Sequence, residues 1–459
     1  MKAQRQRSLV GILREFLTPV LWKQAHQARR RVQRKESTRW IVQPLVLMLL
    51  LMTWSHGDSQ AERFECAKAY CRVCLYKRRN PGKTVEGFQK ALTRLPMSVL
   101  RVVAAGVRKT MELRLADHWF VEGFVPIGCD GSRTECPRSK ELEACMGQAG
   151  KEGSAPTLWV TALVHLRWGV PWAWRFGKGT ASERDHLLQM LDVLPRLALL
   201  VADAGYFGFR LAEQLVRRDV MFLLRMSSNV TLYTREQVRL QRYREGEVYY
   251  WPATKERTAG AQPLHLRLIR IRAKHHRHDV WLLTNVLDKK RLPHTLAGTM
   301  YRWRWRNEGC FRTYKRTLKK VKLVSRTVRL VHREAEGSWL ALQLLLAQGV
   351  LVQTTRRAES ARRALTALTA CQCDQEVKCS PSKILMAIRE EINNAPRSRP
   401  AKYEQRLHEA RGERRQRTSA KASRVWPRRK PHKPPKPPKL RKLSVAQKAE
   451  LDSSQAMAA

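Results

Sequence analysis

The chain has 459 residues, 43% of them hydrophobic, which is enough for two or three domains with a full core. Lys and Arg total 89 against 39 Asp and Glu, and a net charge of +50 implies a polyanionic partner. Membrane is set aside as that partner. The apolar run Val46–Trp54 is about half of the roughly 20 residues a spanning helix needs, and Gln343 and Gln348 interrupt the later run Trp339–Val352.

Residues 1–117 are expected to form a helical, basic region. The first 38 are basic and polar, and Trp40–Asp117 has helical periodicity interrupted at His56-Gly57 and Asn80-Pro81-Gly82. Two readings fit, a solvated helical domain and a reader of DNA ends. The chain has 10 cysteines and no export signal, so reduced thiols are expected. Neither Cys71-x-x-Cys74 nor the group Cys371, Cys373 and Cys379 supplies four ligands at zinc-finger spacing, and helical packing accounts for Cys71 and Cys74.

The pattern then changes to strands. The run Phe124–Cys129 ends on Asp130-Gly131, and Leu158–Trp168 with Val170–Phe176 form a hairpin turning at Gly169. Thr180 or Ser182 caps a helix to about Leu194, and capping accounts for the nearby acids Glu183 and Asp185. Leu197–Ala202 is a strand ending on Asp203; a helix from Gly208 to Arg218 and a strand over Val220–Arg225 follow. Three strands, helix, strand, helix, strand predict an α/β fold with a mixed five-stranded sheet and flanking helices, the order a ribonuclease H-like core needs. Asp130 and Asp203 end strands, where ligand sites form in such sheets.

This core is expected over 118–330, with a β-rich insertion at 226–290 carrying VTLY, VYYW, LHLRLIRIR and VWLLTNV. Trp251 and Trp281 lie there and are read as core residues rather than base-stacking ones. A long helix starts near Pro293, and 331–395 form a helical C-terminal region. The stretch 396–459, with RKPHKPPKPPKLRK, is expected to be a disordered basic tail, either solvated or gripping DNA.

The segment YRWRWRNEGCFRTYK is the most informative. At about 100° per residue, Tyr301, Arg304, Glu308 and Lys315 share an arc of roughly 60°, opposite an apolar stripe of Trp303, Cys310 and Tyr314. One face packs and the other presents a carboxylate among cations. A solvated salt-bridged face would have the same appearance.

These residues resemble the Tyr-Arg-Glu-Lys signature of the insertion-sequence-4 type of DDE transposases. LVADAGYFGFRLAEQL resembles that family's second-aspartate block, and GCDGSRTECPR the block holding the first. The resemblance covers about residues 120–330. It implies that Asp130, Asp203 and Glu308 are catalytic and hold two Mg²⁺ ions, with Mn²⁺ as a substitute. It further implies that Tyr301, Arg304, Lys315 and Arg312 contact DNA, with Arg302, Arg306, Arg316, Lys319 and Lys320 adding general backbone contacts.

The implied activity is cut-and-paste transposition on double-stranded terminal repeats and target DNA, by a homodimer on DNA in the bacterial cytoplasm, associated with the nucleoid. Oxygen ligands suit Mg²⁺, and two such ions serve both ends of a phosphodiester displacement. The alternatives are a nuclease that cuts without joining, and a non-catalytic basic DNA-binding protein or decayed transposase.

Overall fold

The computed structural model describes residues 8–30, 40–57, 59–75, 81–147, 154–226, 229–254, 257, 260–272, 278–366, 380–395 and 437–458. Its first part is helical. The helix Gln60–Cys74 starts at a capping box in which Ser59 and Glu62 satisfy each other's backbone amides. The helix Val42–Trp54 is apolar on nearly every side and buried, packing against the long helix Val328–Thr366. Gly337 permits this approach, because a Cβ there would collide with Leu49. Among the described residues one segment, Val328–Val352, is long and apolar enough to cross a membrane, and 78% of its most apolar window is buried inside the protein.

The strands are β1 (Val125–Glu135), β2 (Thr157–His165), β3 (Val170–Lys178), β4 (Ala198–Ala202), β5 (Met221–Arg225), β6 (Thr231–Thr234), β7 (Glu245–Tyr250), β8 (Leu264–Ile271), β9 (Val280–Thr284) and β10 (Lys439–Lys442). They form one mixed sheet in the order β10-β6-β7-β8-β9-β5-β4-β1-β2-β3. The expectation of a five-stranded sheet with a separate insertion is therefore corrected. The antiparallel pairing of β9 with β5 continues the central sheet into the inserted strands, giving 10 strands. The hairpin turns at Gly169, whose φ of 69° lies in the left-handed region.

The parallel strands β1, β4 and β5 form the centre, and β4 is buried at every position, as a strand covered on both faces must be. Leu200 and Ala202 pack on one face with the helix Phe209–Arg217. Leu199 and Val201 pack on the other, with Ala297, Met300 and Tyr301 of the helix His294–Trp303.

The end of the chain also departs from expectation. Residues 396–436 lie outside the described ones, but β10 pairs in parallel with β6, and the helix Val445–Ala458 follows it. Leu443 and Leu451 bury against Tyr249 and Trp251, while Glu450 and Asp452 pair with Arg257 and Arg235. Composition alone suggested a tail too polar to fold; two apolar anchors and an open sheet edge suffice to order this part.

Candidate active site

In the parallel pairing of β1 with β4, Cys129 lies opposite Ala202. Asp130 and Asp203 come next on each strand, so the two acids are lateral neighbours, a strand spacing of about 4.8 Å apart in backbone. β1 does not end at Asp130, as the sequence suggested, but continues to Glu135 by pairing with β2. Only its pairing with β4 ends there, because β4 stops at Ala202 and Asp203 caps the short helical turn Ala204–Tyr206. Each acid accepts a hydrogen bond from the next backbone amide at 2.8 Å, Asp130 from Gly131 and Asp203 from Ala204.

Strand alternation puts Asp203 on the face of Leu199 and Val201, towards the helix His294–Trp303. Four donors converge on Asp203. The Tyr301 hydroxyl and the Arg225 guanidinium each donate to Oδ1 at 3.3 Å, with the Ala204 amide, and Arg304 stands 3.7 Å from Oδ2. Burial would raise the Asp203 pKa, but Arg304, the Ala204 amide and Arg225 together hold it below the usual carboxylate range. Asp130 is opposite in sign. Burial pushes it up to about 6, with Glu183 and Asp203 adding to the effect against the Gly131 amide and Arg304. Two adjacent carboxylates thus differ in proton affinity because burial dominates at Asp130, whereas at Asp203 Arg225 joins Arg304 and the Ala204 amide to outweigh it.

The uninterrupted helix assumed for residues 301–315 does not exist. The first helix ends at Trp303, with Arg304 bonding back to Tyr301 in a tighter turn, and the second spans Trp305–Arg312. A π-turn over Thr313–Thr317 follows. The single arc is therefore divided. Tyr301 and Arg304 reach Asp203, whereas Glu308 is 53% exposed and lies 3.5 Å from Arg312. Lys315 sits half-buried in the π-turn, where burial lowers its pKa, and no contact joins it to the acids among the described residues. Cys310 and Tyr314 are buried as expected, and Trp303 is half-buried beneath the Arg306 guanidinium.

The helix carrying Glu308 is nevertheless held directly on β1. Asn307 is fully buried against Gly128, where a Cβ would come within 2.7 Å of the Asn307 amide group. Among the described residues no three of His, Cys, Asp and Glu form a cluster that could hold a metal ion as they stand. The donor chemistry fits a hard divalent cation all the same. Asp130 and Asp203 offer oxygens from adjacent strands, and Glu183 adds a third carboxylate whose charge acts on Asp130. Glu308 would have to leave Arg312 to join them.

Two neighbours were not legible as site residues. Glu183, read as a helix-capping acid, has its carboxyl carbon 3.0 Å from where a Cβ on Gly131 would lie, and its charge acts on Asp130. Ser182 does cap this helix, accepting from the Asp185 amide at 3.3 Å, so Glu183 is spare for another role. Trp305, in the signature itself, is 64% exposed with the Arg304 guanidinium 5.1 Å over its ring. Trp251 and Trp281 are buried, as core residues should be.

A family comparison covers this part of the chain. Residues 130–344 match the family model of the transposase DDE domain. That DDE domain match begins on Asp130 and takes in Asp203, the inserted strands, Tyr301, Arg304 and Glu308. No curated protein matches the chain. A cryo-EM structure of a piggyBac transposase synaptic complex with hairpin DNA is similar over 87% of this chain and 84% of that one. Identity there is 11% and the TM-score 0.42, values too low to bear on function.

Proposed function

We propose that the protein is a DDE-type DNA transposase that cuts and rejoins DNA through Asp130, Asp203 and Glu308. The observation that carries this reading is the pair Asp130 and Asp203 on adjacent parallel strands, with Tyr301 and Arg304 of the signature segment gathered on the second. The DDE domain match over 130–344 and the net charge of +50 support it. The strands β3, β2, β1, β4 and β5 are in this reading a ribonuclease H-like core, and the insertion-sequence-4 type is favoured by the spacing of Tyr301, Arg304, Glu308 and Lys315.

The three acids would hold two Mg²⁺ ions, or Mn²⁺ in their place. Bound there, the cations would acidify the attacking water or 3′-hydroxyl and stabilise the leaving oxygen. The protein's own groups do the rest. Arg304 and Arg225 keep Asp203 ionised, so one carboxylate is always available, and the Tyr301 hydroxyl fixes its orientation. Glu308 exchanges Arg312 for the site, which releases that guanidinium to a DNA phosphate. Lys315 and the exposed arginines of this segment supply backbone contacts without sequence information. Trp305, exposed beside Arg304, offers a ring on which an unpaired base can stack.

The partners would be double-stranded terminal repeats and target DNA, held by a homodimer. The helical region 1–117 would read the ends, followed by the catalytic core at 118–330 and the helical region 331–395. The setting would be the bacterial nucleoid. The test is incubation of the full chain with Mg²⁺ and a plasmid carrying the element's own ends. Excision and joining, both lost in Asp130→Ala, are expected. Nicking without joining would identify a nuclease instead, and binding without cleavage in Mg²⁺ or Mn²⁺ would contradict both enzyme readings.

A further inference from the structure

At the opposite ends of β4 and β5 from Asp203 lies a second concave site. Five residues of β4 separate the two, on the order of 16 Å at about 3.3 Å per residue, so the cleft is not part of the carboxylate site. It has a volume of about 550 Å³, within the size range of small-molecule sites.

Three arginines from separate segments line it: Arg196 before β4, Arg218 at the end of the helix Phe209–Arg217, and Arg291 beyond β9. The lining acids are Asp192 and Asp219. Asp192 is 85% exposed and stands 3.7 Å from Arg218, which leaves Arg196 and Arg291 engaged by no carboxylate among the described residues. Arg291 is pinned, with its guanidinium carbon 5.6 Å above the ring of the buried Phe124. A stacked guanidinium keeps its edge N–H donors available to a phosphate.

The rim adds an apolar surface by an unfavourable conformation. Leu197 occupies a left-handed turn at φ 61°, closed by the Ala198 amide donating to the Pro195 carbonyl. Glycine would take that conformation freely, whereas leucine is strained in it and its side chain remains 41% exposed at the cleft. The other left-handed lining residue, Asp219, has a local explanation, since it ends its helix with the Val220 amide bonding back to Leu215. Leu197 too has a local setting, as the third residue of its own hydrogen-bonded turn with its carbonyl accepting from the Val125 amide at 2.9 Å, but glycine would serve there without a side chain at the cleft. Two such cations and an exposed leucine lining one cleft suit a ligand that carries both a phosphate and a flat apolar body.

We propose that this cleft binds a nucleoside phosphate, with Arg196 and Arg291 on the phosphate and Leu197 against the base. Such a group could be a free nucleotide or the 5′-terminal nucleotide of a DNA strand. The proposal stands independently of the reading of Asp130 and Asp203.

The test is equilibrium dialysis of the full chain against dAMP and, separately, a 5′-phosphorylated dinucleotide. The variants are Arg196→Gln/Arg291→Gln, Leu197→Gly, and Lys140→Gln/Lys383→Gln, which removes the same charge from exposed helix positions elsewhere. Saturable binding at least tenfold weaker in the arginine variant, weaker in Leu197→Gly and unchanged in the lysine variant is expected. Because Leu197→Gly relieves backbone strain, its affinity loss is expected without a fall in Tm. This pattern for dAMP marks a free nucleotide, and for the dinucleotide alone it marks a strand end. No saturable binding of either probe, or an equal loss in the lysine variant, would overturn the proposal.

Discussion

The Arg304 guanidinium stands 3.7 Å from Oδ2 of Asp203, on the opposite oxygen from the one bonded by Arg225 and Tyr301. Its side chain is only 12% exposed, and its Nε makes no hydrogen bond. Lysine offers one point charge in place of this planar fork. Arg304→Lys is expected to reduce DNA cleavage on the order of ten- to a hundredfold with little change in Tm, as read in a plasmid-nicking assay beside a melting curve.

Gly128 and Asn307 make the close contact that seats the Glu308 helix on β1. A methyl at residue 128 would press on the Asn307 amide and on Leu166. Gly128→Ala should destabilise the fold by about 1–3 kcal/mol and depress cleavage, while binding of non-specific DNA is retained. Adding Asn307→Ala should restore part of both losses. Additive losses in the double variant would show that the two positions act separately.

Trp305 is 64% exposed, so little of its stability contribution comes from burial. Trp305→Ala should leave urea denaturation unchanged within about 0.5 kcal/mol. It should weaken binding to DNA with unpaired bases by about 1–3 kcal/mol relative to fully paired DNA. Fluorescence anisotropy with the two substrates measures the difference.

Two buried acids two residues apart in the helix Val328–Thr366 should respond to pH in opposite directions. Glu334 accepts from Lys320 Nζ at 3.0 Å and from the Val324 and Ser325 amides at 3.0 and 2.9 Å. Burial would raise its pKa, but these partners hold it below the ordinary value. Its stabilisation is present above the unfolded-state carboxylate pKa and lost as pH falls through the lower folded value. Glu334→Gln should therefore cost about 3–5 kcal/mol at pH 7 and progressively less in acid.

Glu336, which accepts from Trp174 Nε1 at 2.6 Å, is pushed by burial up to about 7. Here the folded state binds the proton more tightly, so stability declines as pH rises from about 4.5 to about 7, by about 3 kcal/mol. Glu336→Gln should remove that decline, leaving the variant at least as stable as the parent at pH 8 in guanidinium unfolding.

Much of the centre could be read from local pattern, because the signals there are local. The run LALLVA is apolar at every position, as a strand buried on both faces must be, and it ends on Asp203. What escaped was the relation between distant segments. Pairing of β9 with β5 joins core and insertion into one sheet, and β10 finds β6 across more than two hundred residues. Neither composition nor periodicity carries such partners.

The helical wheel failed for a different reason. It assumes an unbroken α-helix, but a tight turn at Arg304 sets Glu308 on a second helix and the π-turn at Thr313–Thr317 breaks the register again before Lys315. Glu183 lies in the first turn of its helix, as its spacing suggested, but its effect on Asp130 comes from tertiary packing that spacing does not disclose.

The most direct test of the central claim, that Asp130, Asp203 and Glu308 form one divalent-cation site, is iron-mediated cleavage of the chain. Fe²⁺ replaces Mg²⁺ in the full-length protein, ascorbate and peroxide are added, and the fragments are sequenced. Cuts clustered near residues 130, 203 and 308, suppressed by excess Mg²⁺ and abolished in Asp203→Ala, are the expected result. Cuts elsewhere, or cuts at these places that persist in Asp203→Ala, would contradict the account.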